Sequence, residues 1–188
     1  MAKDDLRGRR VLAVVTNYGV EQDELVVPVD HLRDNGADVD VAAASADPVQ
    51  TLVGDKDPGK KVRPTLTLDE VDLSQYDLLL VPGGTLNADT LRQNATAVGA
   101  VQAFASSERP VAAICHGPWL LVDADILRGK TLTSYPSLRT DIRNAGGTWV
   151  DRPVVSDNAN GWRLVTSRTP DDLDDFLREV EAALVTSP

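Results

Sequence analysis

The chain of 188 residues contains one cysteine, and the position of that cysteine makes it the first candidate for chemistry. Cys115 follows an apolar run at residues 111–114 and precedes His116, Gly117 and Pro118, the pattern of a buried strand that turns directly into a helix. The first-turn N–H groups and the dipole of such a helix favour an anion, so we expect a reactive thiolate with a lowered pKa. The alternative is a small, buried and inert apolar side chain.

Three further titratable side chains are candidates to act on this thiol. His116 is a candidate general base or acid if its ring turns into the same pocket. Glu21 and Glu24 lie three residues apart and therefore share one face of the predicted first helix. That helix follows the first strand, at the edge where the carboxyl ends of parallel strands open onto one crevice. A protonated Glu24 would donate a hydrogen bond to the thiolate there; the alternative is a solvated acidic helix face.

Pro28 interrupts the predicted first helix close to Glu24. It removes the helical hydrogen bond to the Glu24 carbonyl, a defect that costs ~3 kcal/mol in a helix interior. Because local rules tend to be broken at functional sites, Pro28 favours a role for Glu24. His31, the other histidine of the chain, receives a surface or capping role. Two histidines and one cysteine do not make a cluster of metal ligands, so we expect no metal site.

Apolar runs that alternate with amphipathic stretches predict a parallel sheet covered by helices. Strands are predicted at residues 11–15, 39–43, 78–81, 111–114, 154–155 and 164–166. Helical spacing of apolar residues occurs around residues 25–32, 98–105, 119–127, 137–144 and 176–184. Residues 47–64 are polar and rich in turn formers, which predicts a surface loop or hairpin. We expect one domain over residues 1–188, with residues 1–9 as a flexible arm.

Composition limits the partners and the compartment. The formal net charge of -10 argues against a nucleic-acid partner, because binding phosphates requires clustered Lys and Arg. The chain has no apolar run of membrane-spanning length and its charged start does not resemble a signal peptide, so we expect a cytoplasmic protein without membrane contact. Residues 16–21, after the first strand, lack the glycine-rich turn of dinucleotide-binding proteins, and no phosphate loop is present. We therefore expect no cofactor.

Four motifs together resemble the ThiJ/PfpI superfamily, in particular its PfpI-like bacterial branch. They are PGG at residues 82–84, AAICHGP at 112–118, TSYP at 133–136 and NAGG at 144–147. The resemblance runs from about residue 11 to the last helix. It implies a flavodoxin-like, three-layer α/β sandwich with a mostly parallel sheet, helices on both faces and a cysteine on a nucleophile elbow.

The resemblance also implies roles for individual residues. Cys115 would be the nucleophile, with Glu24 against its sulfur and His116 beside it. The substrate pocket would contain Glu21, Tyr135, Gly83, Gly84 and Gly117. Some members complete a Cys-His-acid triad with an acid from a neighbouring subunit, just after the Pro-Gly-Gly. Here the candidate is Asp89, which needs a one-residue shift and is shorter than the glutamate of the proteolytic members.

These implications leave three functions open. The first is a stress-protection enzyme of the glyoxalase or deglycase type, in which Cys115 attacks a small reactive carbonyl and Glu24 or His116 moves the protons. The second is an oxidative-stress sensor or chaperone, in which peroxide converts Cys115 to a sulfinate held by Glu24. The third is an oligomeric cysteine peptidase, which the departure at Asp89 weakens. We expect a homo-oligomer, either a dimer or an assembly of dimers. Related class I glutamine amidotransferases need a histidine near the C-terminus, and none follows His116.

Overall fold

The computed structural model describes residues 6–186, and its strands follow the predicted apolar runs closely. They are β1 (Arg10–Val14), β2 (Tyr18–Glu21), β3 (Asp38–Ala43), β4 (Val49–Val53), β5 (Asp57–Val62), β6 (Leu66–Thr67), β7 (Leu78–Val81), β8 (Val111–Ile114), β9 (Thr131–Leu132), β10 (Thr148–Trp149), β11 (Val154–Asp157) and β12 (Leu164–Ser167). The α-helices are α1 (Gln22–Asp34), α2 (Thr85–Leu91), α3 (Ala95–Ser106), α4 (Pro118–Asp123), α5 (Arg139–Asn144) and α6 (Leu173–Thr186). Short 3-10 turns occupy Leu68–Glu70, Leu73–Gln75, Pro136–Leu138, Ala159–Gly161 and Pro170–Asp172.

Within residues 6–186, the central sheet has seven strands in the order β11-β12-β8-β7-β1-β3-β6. All neighbouring pairs are parallel except β11 with β12, which is antiparallel. A separate three-stranded sheet, β2-β4-β5, lies beside the carboxyl end of β1, with β4 and β5 forming an antiparallel hairpin. A third, two-stranded sheet pairs β9 with β10.

Both faces of the central sheet are buried, which explains why β1 shows no polar alternation. Val11 and Ala13 pack into the cluster that holds the apolar residues of α1 and α6. Leu12 and Val14 pack into the cluster on the opposite face, with residues of α3, α4 and α5. The chain is therefore the three-layer α/β sandwich expected from the sequence, with the flavodoxin-like arrangement.

The polar excursion at residues 47–64 contains the β4–β5 hairpin, one of its two predicted forms, whereas β2 was not predicted. The helix predicted at 119–127 ends at Asp123. The flexible arm predicted for residues 1–9 is wrong for residues 6–9, because Leu6 is fully buried and its N–H donates to the Asn35 carbonyl at 3.0 Å. Residues 1–5 of that prediction lie outside the described residues. None of the helices in residues 6–186 has the length and hydropathy needed to cross a membrane.

Candidate active site

Cys115 lies on a strained turn between β8 and α4. Its φ is +61°, in the left-handed region that costs a non-glycine residue of order 1–3 kcal/mol. Its N–H donates to the Ser167 carbonyl at 3.0 Å, and its carbonyl accepts from the Tyr135 N–H at 2.9 Å. These bonds hold the turn from two neighbouring segments, so the backbone has the geometry of the predicted nucleophile elbow. The side chain is 6 % exposed.

The glycines after β7 let the backbone of that turn approach the elbow. A Cβ on Gly83 would lie 2.6 Å from Glu24 Oε2 and 2.9 Å from the Cys115 Cβ, and a Cβ on Gly84 would lie 2.2 Å from the Gly19 carbonyl oxygen. Gly84 also has a φ of +78°. Gly117 is similarly enclosed, because a Cβ added to it would lie 2.4 Å from the Val81 carbonyl oxygen. Gly83, Gly84 and Gly117 therefore shape the backbone behind the cleft, whereas the sequence placed them in the substrate pocket itself.

His116 turns its ring toward the thiol, as a base acting on Cys115 must. Its Nδ1 is 3.2 Å from Cys115 Sγ. The ring stacks on Tyr135 with centroids 4.6 Å apart and meets the Trp119 ring at 5.2 Å. Burial lowers the pKa of His116 below its usual 6.5, and the negative charge of Asp55 opposes that shift. The imidazole is therefore neutral at neutral pH and able to accept a proton.

Glu24 is fully buried on the first turns of α1, four residues before Pro28, which lies inside the helix. Its Oε2 accepts a hydrogen bond from the Gly83 N–H at 2.8 Å. Its Oε1 is buried and has no hydrogen-bond partner among the described residues. Burial raises the pKa of Glu24 well above 4.5, while its hydrogen bond with Cys115 acts in the opposite direction. A carboxyl with a raised pKa keeps its proton to a higher pH, which suits a proton donor.

The start of α4 is not the largest influence on the thiol pKa, and the lowered pKa expected from it stays a prediction. Burial raises the pKa of Cys115, the charge of an ionised Glu24 raises it further, and the N–H groups of Gly84 and His116 lower it by less. The elbow is too enclosed for the N–H groups to dominate, and two adjacent negative charges cannot both be held there. With the proton on Glu24 the repulsion disappears. Burial therefore favours the uncharged forms of Cys115, His116 and Glu24 alike.

A cleft of about 400 Å³ opens onto these groups. It is lined by Glu21, Glu24, Gly54, Asp55, Thr85, Cys115, His116, Tyr135, Thr169, Pro170 and Asp171. The structure thus brings together five of the residues singled out from the sequence: Cys115, His116, Glu24, Glu21 and Tyr135. Tyr135 is 41 % exposed and forms an outer wall. Burial raises the pKa of Glu21, whose Oε2 accepts from the Asp55 N–H at 3.3 Å.

Asp89 does not join this group within the described chain. It is exposed on α2 and does not line the cleft. His31 also lies elsewhere, near the end of α1, where its Nε2 is 2.7 Å from Glu181 Oε1. Among residues 6–186 no group of three or more His, Cys, Asp or Glu side chains is placed to hold a metal ion.

Sequence reasoning missed Asp55, Thr85 and Asp171 as cleft residues. Asp55 lies in the excursion that was expected to be a surface hairpin, and Thr85 immediately follows the Pro-Gly-Gly. The Gly54-Asp55 pair is typical of a hairpin turn. Residues 47–64 leave the parallel sheet at the carboxyl end of a strand, where ligand clefts of such sheets form. These two signals together were available in the sequence.

The sequence profile of the DJ-1/PfpI family matches residues 9–183. The chain belongs to the DJ-1/PfpI family. Among curated relatives, General stress protein 18 of Bacillus subtilis is 39% identical over 173 residues, covering 92% of this chain and 96% of the relative. Protein/nucleic acid deglycase 2 of Escherichia coli is 38% identical over 172 residues, covering 89% of this chain and 94% of the relative.

A solved structure of the family has the same fold. Drosophila melanogaster DJ-1beta superposes with a TM-score of 0.83 at 27% identity, covering 94% of this chain and 90% of that one. The ThiJ/PfpI resemblance read from the sequence motifs is thereby confirmed. The residues matched by the family profile, 9–183, include every strand of the central sheet and all residues that line the cleft.

Proposed function

We propose that this protein is a stress-protection enzyme that takes up small reactive carbonyl compounds through Cys115. The observation that carries the proposal is the 3.2 Å separation between Cys115 Sγ and His116 Nδ1. At this site burial shifts the pKa values of His116 and Glu24 in opposite directions. It lowers the pKa of His116 and raises the pKa of Glu24. Titratable groups whose pKa values are pushed apart in this way are typical acid and base partners.

The first step is addition of the thiol to an aldehyde. Neutral His116 accepts the thiol proton at Nδ1 while sulfur forms a bond to the carbonyl carbon, and the π electrons move to the carbonyl oxygen. Glu24 supplies a proton to that oxygen, which gives a hemithioacetal, and His116 then returns its proton to the Glu24 carboxylate. The thiol hydrogen is thus balanced by the new hydroxyl. Conversion of an α-oxoaldehyde to the α-hydroxy acid consumes one water and requires no external oxidant.

The relatives support this class of function. One is a general stress protein and another is a deglycase by name, and deglycation requires attack on carbonyl-derived adducts. The cleft volume of about 400 Å³ suits a small molecule or an exposed side-chain adduct rather than a folded protein.

The test is consumption of methylglyoxal by the wild-type protein and by Cys115→Ser. We expect the variant to show no consumption above buffer. His31→Gln is a matched control, because it removes the other histidine far from the cleft and leaves consumption unchanged. Equal rates for wild type and Cys115→Ser would refute the proposal.

One observation favours a second candidate, an oxidation sensor. The unpartnered Oε1 of Glu24 is a buried donor once protonated, and it would satisfy an oxygen added to the sulfur of Cys115. Mild peroxide should then add two oxygens to the protein, detected by intact mass and absent in Cys115→Ser. An unmodified mass would argue against this role.

We further propose that the protein works as a cytoplasmic homo-oligomer. A peptidase is the least supported alternative, because its triad would depend on Asp89 from another copy of the chain. Sedimentation of the wild-type protein measures the assembly, and casein cleavage by the assembled protein measures the peptidase activity.

A further inference from the structure

We propose that Asp55 orients His116 as a proton acceptor from within the same chain, acting through the hydroxyl of Thr85. Asp55 is a positioning residue, because it reaches His116 only through Thr85. The inference rests on the proposed role of Cys115 as a nucleophile, and it supplies an acid partner for His116 without any contribution from a second copy.

Asp55 holds Thr85 with both carboxylate oxygens. Oδ1 accepts from the Thr85 N–H at 2.8 Å, and Oδ2 accepts from the Thr85 hydroxyl at 2.6 Å. The same hydroxyl oxygen lies 3.5 Å from His116 Nε2. Asp55, Thr85, His116 and Cys115 therefore form one continuous chain of contacts that ends at the sulfur.

The hydrogen count along this chain determines which ring nitrogen carries the proton. Thr85 has one hydroxyl hydrogen, and Asp55 accepts it. The lone pairs of that hydroxyl oxygen remain for His116, so Nε2 must be the N–H donor. Nδ1 is then unprotonated, and it is the nitrogen that faces Cys115 Sγ at 3.2 Å. This tautomer can accept the thiol proton.

The hydroxyl of Ser137 also lies near Nε2, at 3.4 Å. A serine hydroxyl rotates freely and either donates or accepts, so Ser137 is compatible with both tautomers. The carboxylate oxygens of Asp55 accept both hydrogen bonds from Thr85, so Asp55 imposes a direction on the chain of hydrogen bonds.

The backbone fixes Asp55 although its side chain is exposed. Gly54 and Asp55 have φ values of +63° and +57°, and the Lys56 N–H donates to the Val53 carbonyl at 3.3 Å. The loop between the paired residues Val53 and Asp57 has three residues, and two of them are left-handed. The Asp55 N–H also donates to Glu21 Oε2. The hairpin therefore delivers this carboxylate to the cleft in one orientation.

Other ionisable groups also face His116. Glu21 comes from the end of β2, Glu24 from α1, Tyr135 from the segment after β9 and Asp171 from the turn before α6, and Cys115 is adjacent. The charge that opposes the lowering of the His116 pKa is that of Asp55. Loss of the Asp55 charge should therefore lower the pKa of His116 further.

The experiment is ¹⁵N NMR of the histidine ring nitrogens, which reports tautomer and pKa directly. The chain has two histidines, so His31 serves as an internal reference. In the wild type we expect neutral His116 to carry its proton on Nε2. In Asp55→Asn and Thr85→Val we expect a mixture with the Nδ1–H form and a lower pKa. Thr85→Ser keeps the hydroxyl and should restore the wild-type tautomer.

Cysteine modification by iodoacetamide gives the functional readout on the same variants. We expect the rate at pH 7 to fall about tenfold in Asp55→Asn and Thr85→Val, part of the effect of losing a positioned base. Asp57→Asn removes an equal charge from the same hairpin and should leave both readouts unchanged. Asp89→Asn tests the intersubunit alternative.

An unchanged His116 tautomer in Asp55→Asn and Thr85→Val would overturn the proposal, as would a shift that occurs in Asp89→Asn instead. A wild-type thiol that does not react would refute the proposed function, while the NMR tautomer would still decide the role of Asp55. The two failures are therefore distinguishable.

Discussion

Two regions of the molecule bury ionisable groups, and they treat them differently. Lys130 is fully buried, and its ammonium donates to the carbonyls of Ala159 and Trp162, lies 3.5 Å from Asp157 Oδ1 and stands 3.9 Å over the Trp162 ring. At the elbow, Glu24 Oε1 has no partner among the described residues and Cys115 has a left-handed φ.

The difference separates structural from chemical uses of a buried polar group. An ammonium has three donors, and the loop around residues 157–162 provides acceptors for all of them, so this corner holds the fold together. The elbow leaves a donor or acceptor unused and stores backbone strain. Such incomplete satisfaction is expected where a ligand completes the site.

The largest effect should come from closing the space that the elbow requires. Gly84→Ala adds a Cβ 2.2 Å from the Gly19 carbonyl oxygen at a φ of +78°. We expect a loss of about 4 kcal/mol in the free energy of unfolding, from left-handed strain and overpacking together. Gly8 has a φ of +83°, but no atom of the described residues lies within 4 Å of an added Cβ. Gly8→Ala should therefore lower the free energy of unfolding in urea by only about 1 kcal/mol. Equal losses in Gly84→Ala and Gly8→Ala would mean that the turn at Gly84 accommodates a Cβ without a clash.

Replacing Lys130, whose donors all have acceptors, should affect the stability of the protein and not the reactivity of Cys115. Lys130→Met removes the donor to the carbonyls of Ala159 and Trp162 and the cation that faces Asp157. We expect a loss of about 3 kcal/mol in the free energy of unfolding, measured in urea. The rate at which folded Cys115 is alkylated should not change. Lys61→Met, on the exposed strand β5, should stay within about 0.5 kcal/mol of wild type. If Lys130→Met kept the wild-type stability but slowed alkylation of Cys115, Lys130 would serve the chemistry of the elbow rather than the stability of the fold.

The sequence predicted the Cys115 elbow better than it predicted the buried environment of Lys130. The Cys-His-Gly-Pro run and the Pro-Gly-Gly identified the elbow because few backbones need those residues in that order. Lys130 gave no signal, since its acceptors are main-chain carbonyls some thirty residues later. Asp55 was missed for a related reason: the hairpin was expected, but the direction in which it folds over the cleft depends on packing against α1 and α2.

Two influences act on the thiol pKa, and only one of them, the dipole of a helix start, can be inferred from sequence; the degree of enclosure cannot. Cys115 lies at the start of α4 as expected, yet burial and Glu24 outweigh the N–H groups around it. Glu24 lies in the cleft beside Cys115, and its chemical role stays a prediction. Its position beside Pro28 and its full burial agree with the interpretation that the helix tolerates a defect there.

Removal of the base should change reactivity with little change in stability. His116→Gln keeps a polar side chain near the thiol but cannot accept its proton, and we expect methylglyoxal consumption to fall about 100-fold. The free energy of unfolding should change by less than about 1 kcal/mol. His31→Gln is the matched control and should consume methylglyoxal at the wild-type rate. Retention of activity in His116→Gln would show that another group takes the proton.

The smallest effect concerns the pH dependence of stability. The folded pKa of Glu24 is raised above 4.5, so above that pH the folded state holds a proton that the unfolded state releases. Wild-type stability should therefore fall as the pH rises from 4.5 through the folded pKa, with a slope of up to about 1.4 kcal/mol per pH unit. Glu24→Gln lacks this contribution, so urea unfolding of the two proteins should converge or cross as the pH rises. Parallel curves would mean that Glu24 titrates normally.

The central claim is that Cys115 is a nucleophile served by His116 inside the folded protein. The direct test is iodoacetamide modification of the native protein at neutral pH, followed by intact mass, which reports one site because the chain has one cysteine. We predict that folded wild type is modified and that His116→Gln is modified about 100-fold more slowly. A thiol that reacts only after unfolding, or equally fast without His116, would contradict the account.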